Sequence, residues 1–307
     1  ADVHVHLRVP GGEHKEDVCS GTTAALAGGF TTVLAMPNTD PPLVTLSDYR
    51  AAQRHAEAAA LCDVHHFAGD SADHVDELAA LGREAVGLKI YMDQTYGPLR
   101  IAGLATLLAC FRAWPKEKVI AFHAEGPGVA VAIGLAAAFD RRVHLCHVSR
   151  KSEIELIAEA KRKGLPVTCE VTPHHLFLTE RDLPRLGSFG EMKPSLATQA
   201  DVDALWAHID TVIDCVATDH APHTKAEKLG DEPPPGVPGL ETALPLMLTA
   251  VYEGRLTLDR LVELMATNPR RIYGLPEQPE TWIEVDIDRE YPIGHQGLHS
   301  KCGWSPF

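Results

Sequence analysis

Residues 1–8, ADVHVHLR, decide how this chain is read. In an extended strand residues i and i+2 share a face, so His4, His6 and Arg8 would aim two imidazoles and a guanidinium into one space. A His-x-His pair is a chelating unit. With 17 His among 307 residues, about one such pair is expected by chance, so the motif gains weight only if further ligands close later strands.

Working outward, apolar strand-like runs recur at 30–39, 62–69, 85–92, 118–125, 142–148, 165–176 and 211–223. Helical spacing separates them over 16–29, 43–60, 71–81, 101–113, 128–139, 150–163 and 199–209, with Thr45 or Ser47 as a cap for the second helix and Gly28-Gly29 ending the first. Eight short strands alternating with helices predict an α/β fold of the (β/α)₈ TIM barrel type. A doubly wound open sheet is the alternative, but no Gly-rich phosphate turn follows the first strand.

Residues 179–198 read as mostly loop, and the Pro-rich stretch 231–241 as a rigid loop before a helix over 241–252. A last helix over 258–265 is expected to break at Asn268-Pro269-Arg270-Arg271. The barrel is assigned to 1–274 and a C-terminal extension to 275–307, with no internal repeat.

Composition bounds the function. The chain is 45% hydrophobic and 23% charged, with a formal net charge of −14. That balance, without a basic run, argues against a nucleic-acid partner. No apolar stretch is long enough to span a membrane and no signal-peptide pattern is present, so a cytoplasmic location is expected. Seven cysteines, several inside apolar runs, suit reduced core thiols better than disulfides. The chain lacks an initiator Met and begins inside a strand, and reads as part of something longer.

Placed on a barrel, the polar residues gather at one rim. His4 and His6 end strand one, Lys89 lies in strand four, His123 ends strand five, His147 strand six and Asp219 strand eight. Barrel active sites lie at that C-terminal face, and imidazoles with a carboxylate form an N/O set suited to zinc or a similar divalent ion. Singly, each residue also has a plain structural reading, since a strand-end His can be a core histidine and Asp219 can cap a turn. Their concurrence at one rim is what carries the metal reading. Lys89, flanked by Leu88 and Ile90, would be neutralised by burial and nearby positive charge and could then take up CO₂ as a carbamate that bridges two metals.

The stretches DVHVHLR, AMPNT, GLKIY, HAE, CHVSR, CEVTPHHL, ATDHAPH, PPPGVPGLE and NPRRI together resemble the dihydroorotases of the amidohydrolase superfamily. The resemblance is strongest to the dihydroorotase domain of the animal multifunctional pyrimidine-biosynthesis protein, which also carries carbamoyl-phosphate synthetase and aspartate transcarbamylase. It implies two Zn²⁺ per chain, one on His4, His6, carbamylated Lys89 and Asp219, the other on Lys89, His123 and His147. It also implies reversible cyclisation of N-carbamoyl-L-aspartate to L-dihydroorotate, with Asp219 as the proton-transferring residue. Arg8, Asn38, Lys193 and His223 would bind substrate beside the Pro235-Gly236 backbone, under a mobile loop carrying Thr95 and Tyr96. A homodimer and fusion to other pyrimidine-pathway domains are implied as well.

Three departures stand out. Lys193 replaces an Arg of the animal domain and loses its planar fork. Tyr96 replaces a Phe of the mobile loop. The small β domain that flanks the barrel in relatives is largely missing here, so exposed apolar surface is expected at the barrel's flank. Cys146 and Glu170, near the rim, are read either as part of a third metal site or as a core thiol and a hydrogen-bonded carboxylate. A hydantoinase- or allantoinase-like hydrolase of cyclic amides shares the same ligands, though Arg8 and Asn38 favour a substrate with its own carboxylate; a non-catalytic scaffold barrel is a third reading, against which no metal ligand is lost here.

Overall fold

The computed structural model describes residues 1–70, 72–101, 103–293 and 297–307. Its strands are β1 Asp2–Val5, β2 Thr32–Ala35, β3 Asp63–His66, β4 Ala68–Gly69, β5 Gly87–Tyr91, β6 Val119–His123, β7 Val143–Leu145, β8 Val167–Val171 and β9 Cys215–Val216. β1 to β3 pair in order, as do β4 to β9, and every pairing is parallel. Phe67 alone separates β3 from β4, so one extended segment pairs with β2 through its first half and with β5 through its second. The ring closes where Val5 bridges His220 and the His6 N–H donates to the His220 carbonyl at 2.8 Å. The barrel expected from the sequence is therefore present, with its third strand broken in two.

Asp2 clasps that seam. Its carboxylate accepts the His4 and Thr218 N–H groups at 3.1 Å each and the Thr218 hydroxyl at 2.6 Å. Ala217 still donates to the Val171 carbonyl at 3.1 Å, Thr218 then turns to Asp2, and only Cys215–Val216 of the expected run 211–223 is strand.

With β3 and β4 taken as one strand, each strand is followed by a covering helix: Val18–Ala27, Leu46–Ala59, Leu78–Glu84, Leu104–Ala113, Pro127–Phe139, Lys151–Arg162, Gln199–Ala207 and Leu240–Tyr252. Asp17 caps the first helix and Thr45, not Ser47, the second. At the expected helix over 71–81, residues 72–77 form a 3₁₀ turn ahead of Leu78–Glu84. Ser71 and Ala102, which fall in two of the expected helices, lie outside the described residues. Leu88 and Ile90 pack outward between strands and helices, whereas Lys89 turns inward. Gly28 is required where the first and last covering helices meet, because a Cβ there would lie 1.9 Å from the Leu240 carbonyl.

The expected break at residues 268–271 is absent. A π turn, Glu263–Thr267, runs into the helix Asn268–Tyr273, and Pro269 sits in its first turn, where the missing N–H costs nothing. This helix plugs the barrel's lower end. Ile272 and Tyr273 pack against Leu34, Phe67 and Val119, and the Tyr273 ring meets Phe67 edge-on at 5.4 Å. The region 179–198 is not wholly loop, since it holds short helical turns at Glu180–Asp182, Leu183–Leu186 and Gly187–Gly190.

Within the extension, Cys302 and Trp304 pack with Leu178, Met192, Leu196 and Val237 beside the barrel mouth. Trp282, Ile283 and Ile287 are exposed, as are Tyr252, Leu258 and Val262. All seven cysteines are free. Among the described residues no helix is long and apolar enough to cross a membrane.

Asp70, directly after β4, is buried, and neither carboxylate oxygen has a partner from another of the described residues. Burial raises its pKa to about 8, its own backbone N–H offsetting only part of the cost. A carboxyl whose folded value exceeds its unfolded one keeps a proton the unfolded chain has released, so its contribution is complete below about pH 4 and is lost as pH rises through about 8. Asp70→Asn should therefore raise the unfolding free energy from urea titration more at pH 9 than at pH 5, by a difference on the order of a few kcal/mol. Equal shifts at the two pH values would contradict the account.

Candidate metal centre

The strand ends deliver their polar side chains to one cavity, lined among others by His4, His6, His123, His147 and Asp219. Asp219 Oδ1 lies 3.2 Å from His4 Nε2 and 3.1 Å from His6 Nε2. His123 Nδ1 and His147 Nε2 are 2.7 Å apart. Donor atoms of His4, His147 and Asp219 fall within 4.8 Å of one another. Lys89 is fully buried beneath this group, its ammonium 2.9 Å from Cys146 Sγ.

Backbone strain marks the same place. Arg8 (φ 62°), His147 (φ 33°) and Asp219 (φ 45°) adopt left-handed conformations that cost a non-glycine residue about 1–3 kcal/mol each. All three lie two or three residues beyond a strand's last residue and line the mouth. Gly236 (φ 142°) faces them where a Cβ would lie 2.6 Å from the Ala221 carbonyl, so only glycine brings this backbone close.

The electrostatics suit a cation between carboxylates. Burial and Lys89 oppose protonation of His4, yet Asp219 and Glu170 together carry its pKa up to about 10. Against the cost of burial, His4 and His6 hold Asp219 well below the usual carboxylate range. Burial pushes His6 down to about 4 and lowers His123, and burial with His123 lowers His147, so these three are neutral imidazoles with lone pairs to offer. His147 Nδ1 is buried with no hydrogen-bond partner among the described residues, and His123 Nε2 has only Glu125 Oε1, 3.5 Å away, as a metal ligand atom would. The donor set fits zinc or a similar divalent ion.

Behind the first ring stands Glu170. It accepts from His4 Nδ1 at 2.5 Å, His144 Nε2 at 3.0 Å and the His147 N–H at 3.3 Å. Of the two sequence readings of Glu170, the hydrogen-bonded carboxylate is therefore observed, while Cys146 is a buried thiol meeting Lys89. His4, Cys146 and Glu170 still form a donor group within 4.8 Å.

Toward solvent, the cavity is lined by Arg8, Asn38, Thr95, Tyr96, Lys193, Pro235 and Gly236. Asn38 holds His6 Nδ1 at 2.8 Å through its carbonyl and donates to the Tyr96 carbonyl at 2.9 Å. Arg8 donates to the Pro222 carbonyl at 3.1 Å. His223 is fully buried behind Arg8 and the Tyr96 ring rather than on the cavity wall.

His174 and Tyr91 line the cavity too, and sequence reasoning gave neither a role. The Thr-Pro-His-His run directly after β8 was the available signal for His174. Tyr91, an apolar-looking residue ending β5, offered none.

The amidohydrolase family profile matches residues 1–279. Over its whole length the chain is 51% identical to multifunctional protein CAD of Squalus acanthias and 47% identical to multifunctional protein pyr1-3 of Dictyostelium discoideum. It spans 14% of each of those proteins. It is 36% identical to the dihydroorotase of Halobacterium salinarum, covering all of this chain and 80% of that one. Among solved structures, L-hydantoinase (dihydropyrimidinase) from Arthrobacter aurescens matches with a TM-score of 0.90 at 26% identity, over 100% of this chain and 79% of that one. The inactive dihydroorotase-like domain of the Chaetomium thermophilum CAD-like multifunctional protein matches with a TM-score of 0.81 at 30% identity, over 100% and 87%. With the profile running from residue 1 to residue 279 and a dihydroorotase aligned along the whole chain, this chain belongs to the amidohydrolase family.

Proposed function

We propose that this chain is a dihydroorotase that interconverts N-carbamoyl-L-aspartate and L-dihydroorotate within a cytoplasmic, multifunctional pyrimidine-biosynthesis protein that forms homodimers. The observation that carries the reading is the pairing, in one cavity, of an imidazole–carboxylate metal set with Arg8 and Asn38 at its outer wall. A cyclic amide that bears its own carboxylate needs both halves.

In this reading His4, His6, Lys89 and Asp219 hold one zinc, and Lys89, His123 and His147 the other. Lys89, fully buried below the ligand ring, would serve as their shared ligand once converted to a carbamate. When bound, the two ions supply Lewis acidity that lowers the pKa of water and polarises the amide carbonyl.

The chain's own residues do the rest. Asp219, held ionised, takes the proton of the attacking water during ring opening and passes it to the leaving nitrogen. Ring closure runs the other way, joining the ureido nitrogen to the side-chain carboxylate with uptake of one proton and release of water. Arg8 offers the substrate carboxylate a forked donor, with Asn38, Lys193, His223 and the Pro235-Gly236 backbone around it. The cavity, about 40 Å³, opens toward solvent beside Thr95 and Tyr96. In this reading the segment that carries them moves to admit substrate.

A second reading, a hydantoinase-like hydrolase, is favoured by the TM-score of 0.90 to L-hydantoinase. Arg8 and Asn38 weigh against it, because hydantoin brings no carboxylate for them.

Wild type should carry two zinc ions per chain and cyclise N-carbamoyl-L-aspartate faster than it opens hydantoin, with acid favouring closure and alkali opening. Zinc-loaded protein inactive on both substrates would point to a non-catalytic barrel, and preference for hydantoin to the second reading. Lys89→Ala should lose at least one zinc by atomic absorption together with turnover; full zinc content in an active variant would remove the bridging role. Asp219→Asn should lower kcat by about 10²–10⁴, and a loss under tenfold would exclude Asp219 as the proton carrier.

A further inference from the structure

Lys15 lies in the loop after β1, outside any regular element, yet it is only 3% exposed. Its ammonium reaches His223 Nδ1 at 3.0 Å and Glu227 Oε1 at 2.8 Å, and stands 4.3 Å from the centre of the Tyr96 ring. An ammonium has only donors, so the His223 atom it meets must be an acceptor and carries no proton. Burial, Arg8 and Lys15 all keep His223 neutral. A neutral ring with a bare Nδ1 holds its proton on Nε2, and that N–H donates to the Pro235 carbonyl at 3.1 Å. The opposite tautomer would set an N–H against the ammonium and a lone pair against a carbonyl oxygen. Two partners thus favour the Nε2–H form.

This tautomer changes the meaning of a third contact. Arg8 Nη2 lies 3.1 Å from the same Nε2. With Nε2 protonated, the contact sets two N–H donors side by side rather than joining them in a hydrogen bond. Such a pair is unfavourable until an acceptor serves both, and a carboxylate that shares the Nε2–H with the Pro235 carbonyl while taking an Arg8 N–H suits it. The Tyr96 ring meets His223 edge-on at 4.9 Å, so the pair is reached when Tyr96 swings away.

We infer that Lys15 is a positioning residue for the substrate carboxylate: by donating to His223 Nδ1 it fixes the tautomer that makes His223 and Arg8 one anion-binding donor pair. The inference rests on the dihydroorotase reading for the identity of the carboxylate. The tautomer itself is independent of turnover.

The test uses the full zinc-loaded chain labelled with ¹⁵N-histidine, as wild type, Lys15→Met and Lys15→Arg, with His223→Asn identifying the His223 signals. Expected for wild type is an unprotonated Nδ1 and a protonated Nε2. In Lys15→Met the proton should shift toward Nδ1, and the dissociation constant for L-dihydroorotate, read by equilibrium titration, should rise about tenfold. KM should rise in step while kcat changes less than threefold, and Lys15→Arg should recover most of the affinity. A protonated Nδ1 in wild type, or unchanged tautomer and affinity in Lys15→Met, would overturn the inference. The expected tautomer and affinity loss in a chain that turns over no substrate would sink the dihydroorotase reading while leaving the anion-binding role of Lys15 in place.

Discussion

One buried carboxylate organises the centre. Glu170 is fully buried, yet His4 and His144 hold it ionised against the cost of burial. Such a group is tolerable only when its oxygens are filled, and here they are filled by two imidazoles and a backbone N–H from β1, β7 and the segment after β7. Because Nδ1 of His4 is committed to Glu170, its Nε2 is left facing Asp219 across the mouth. Orientation of a ligand imidazole by a carboxylate behind it is the usual second layer of a metal site. Removing the Glu170 carboxylate would free the ring of His4 and leave His144 buried without its strongest partner.

The barrel supplies the rest of the constraint. Asp2 locks β1 to the segment after β9 through Thr218, and the same seam places Asp219 opposite His4 and His6. At the other end Tyr273 packs with Leu34, Phe67 and Val119. Left-handed backbone at Arg8, His147 and Asp219 then shows where folding stability is given up to aim a side chain.

Much of this was legible from residue types alone. A histidine, lysine or aspartate ending an apolar run violates the hydrophobic pattern, and such violations cluster where chemistry is done. His4, His6, Lys89, His123, His147 and Asp219 were all visible in that way, and all six meet around one mouth or directly beneath it. What could not be read lacks a period. Lys15 lies in an irregular loop, and its partners His223 and Glu227 lie far along the chain, brought near only by ring closure. The break at Phe67 leaves no mark because both halves remain extended. Pro269 suggested a stop, yet a π turn ahead of it lets a new helix start there.

The likeness to an inactive dihydroorotase-like domain shows that this architecture survives without catalysis, so the central claim is the paired metal centre rather than the barrel. Anomalous diffraction at the zinc edge, on crystals of this chain grown with zinc and bicarbonate, tests it most directly. The account predicts two peaks bridged by a Lys89 side chain extended by a carboxylate, one peak beside His4, His6 and Asp219 and the other beside His123 and His147. A single peak, or none, with Lys89 ending at its Nζ would contradict it.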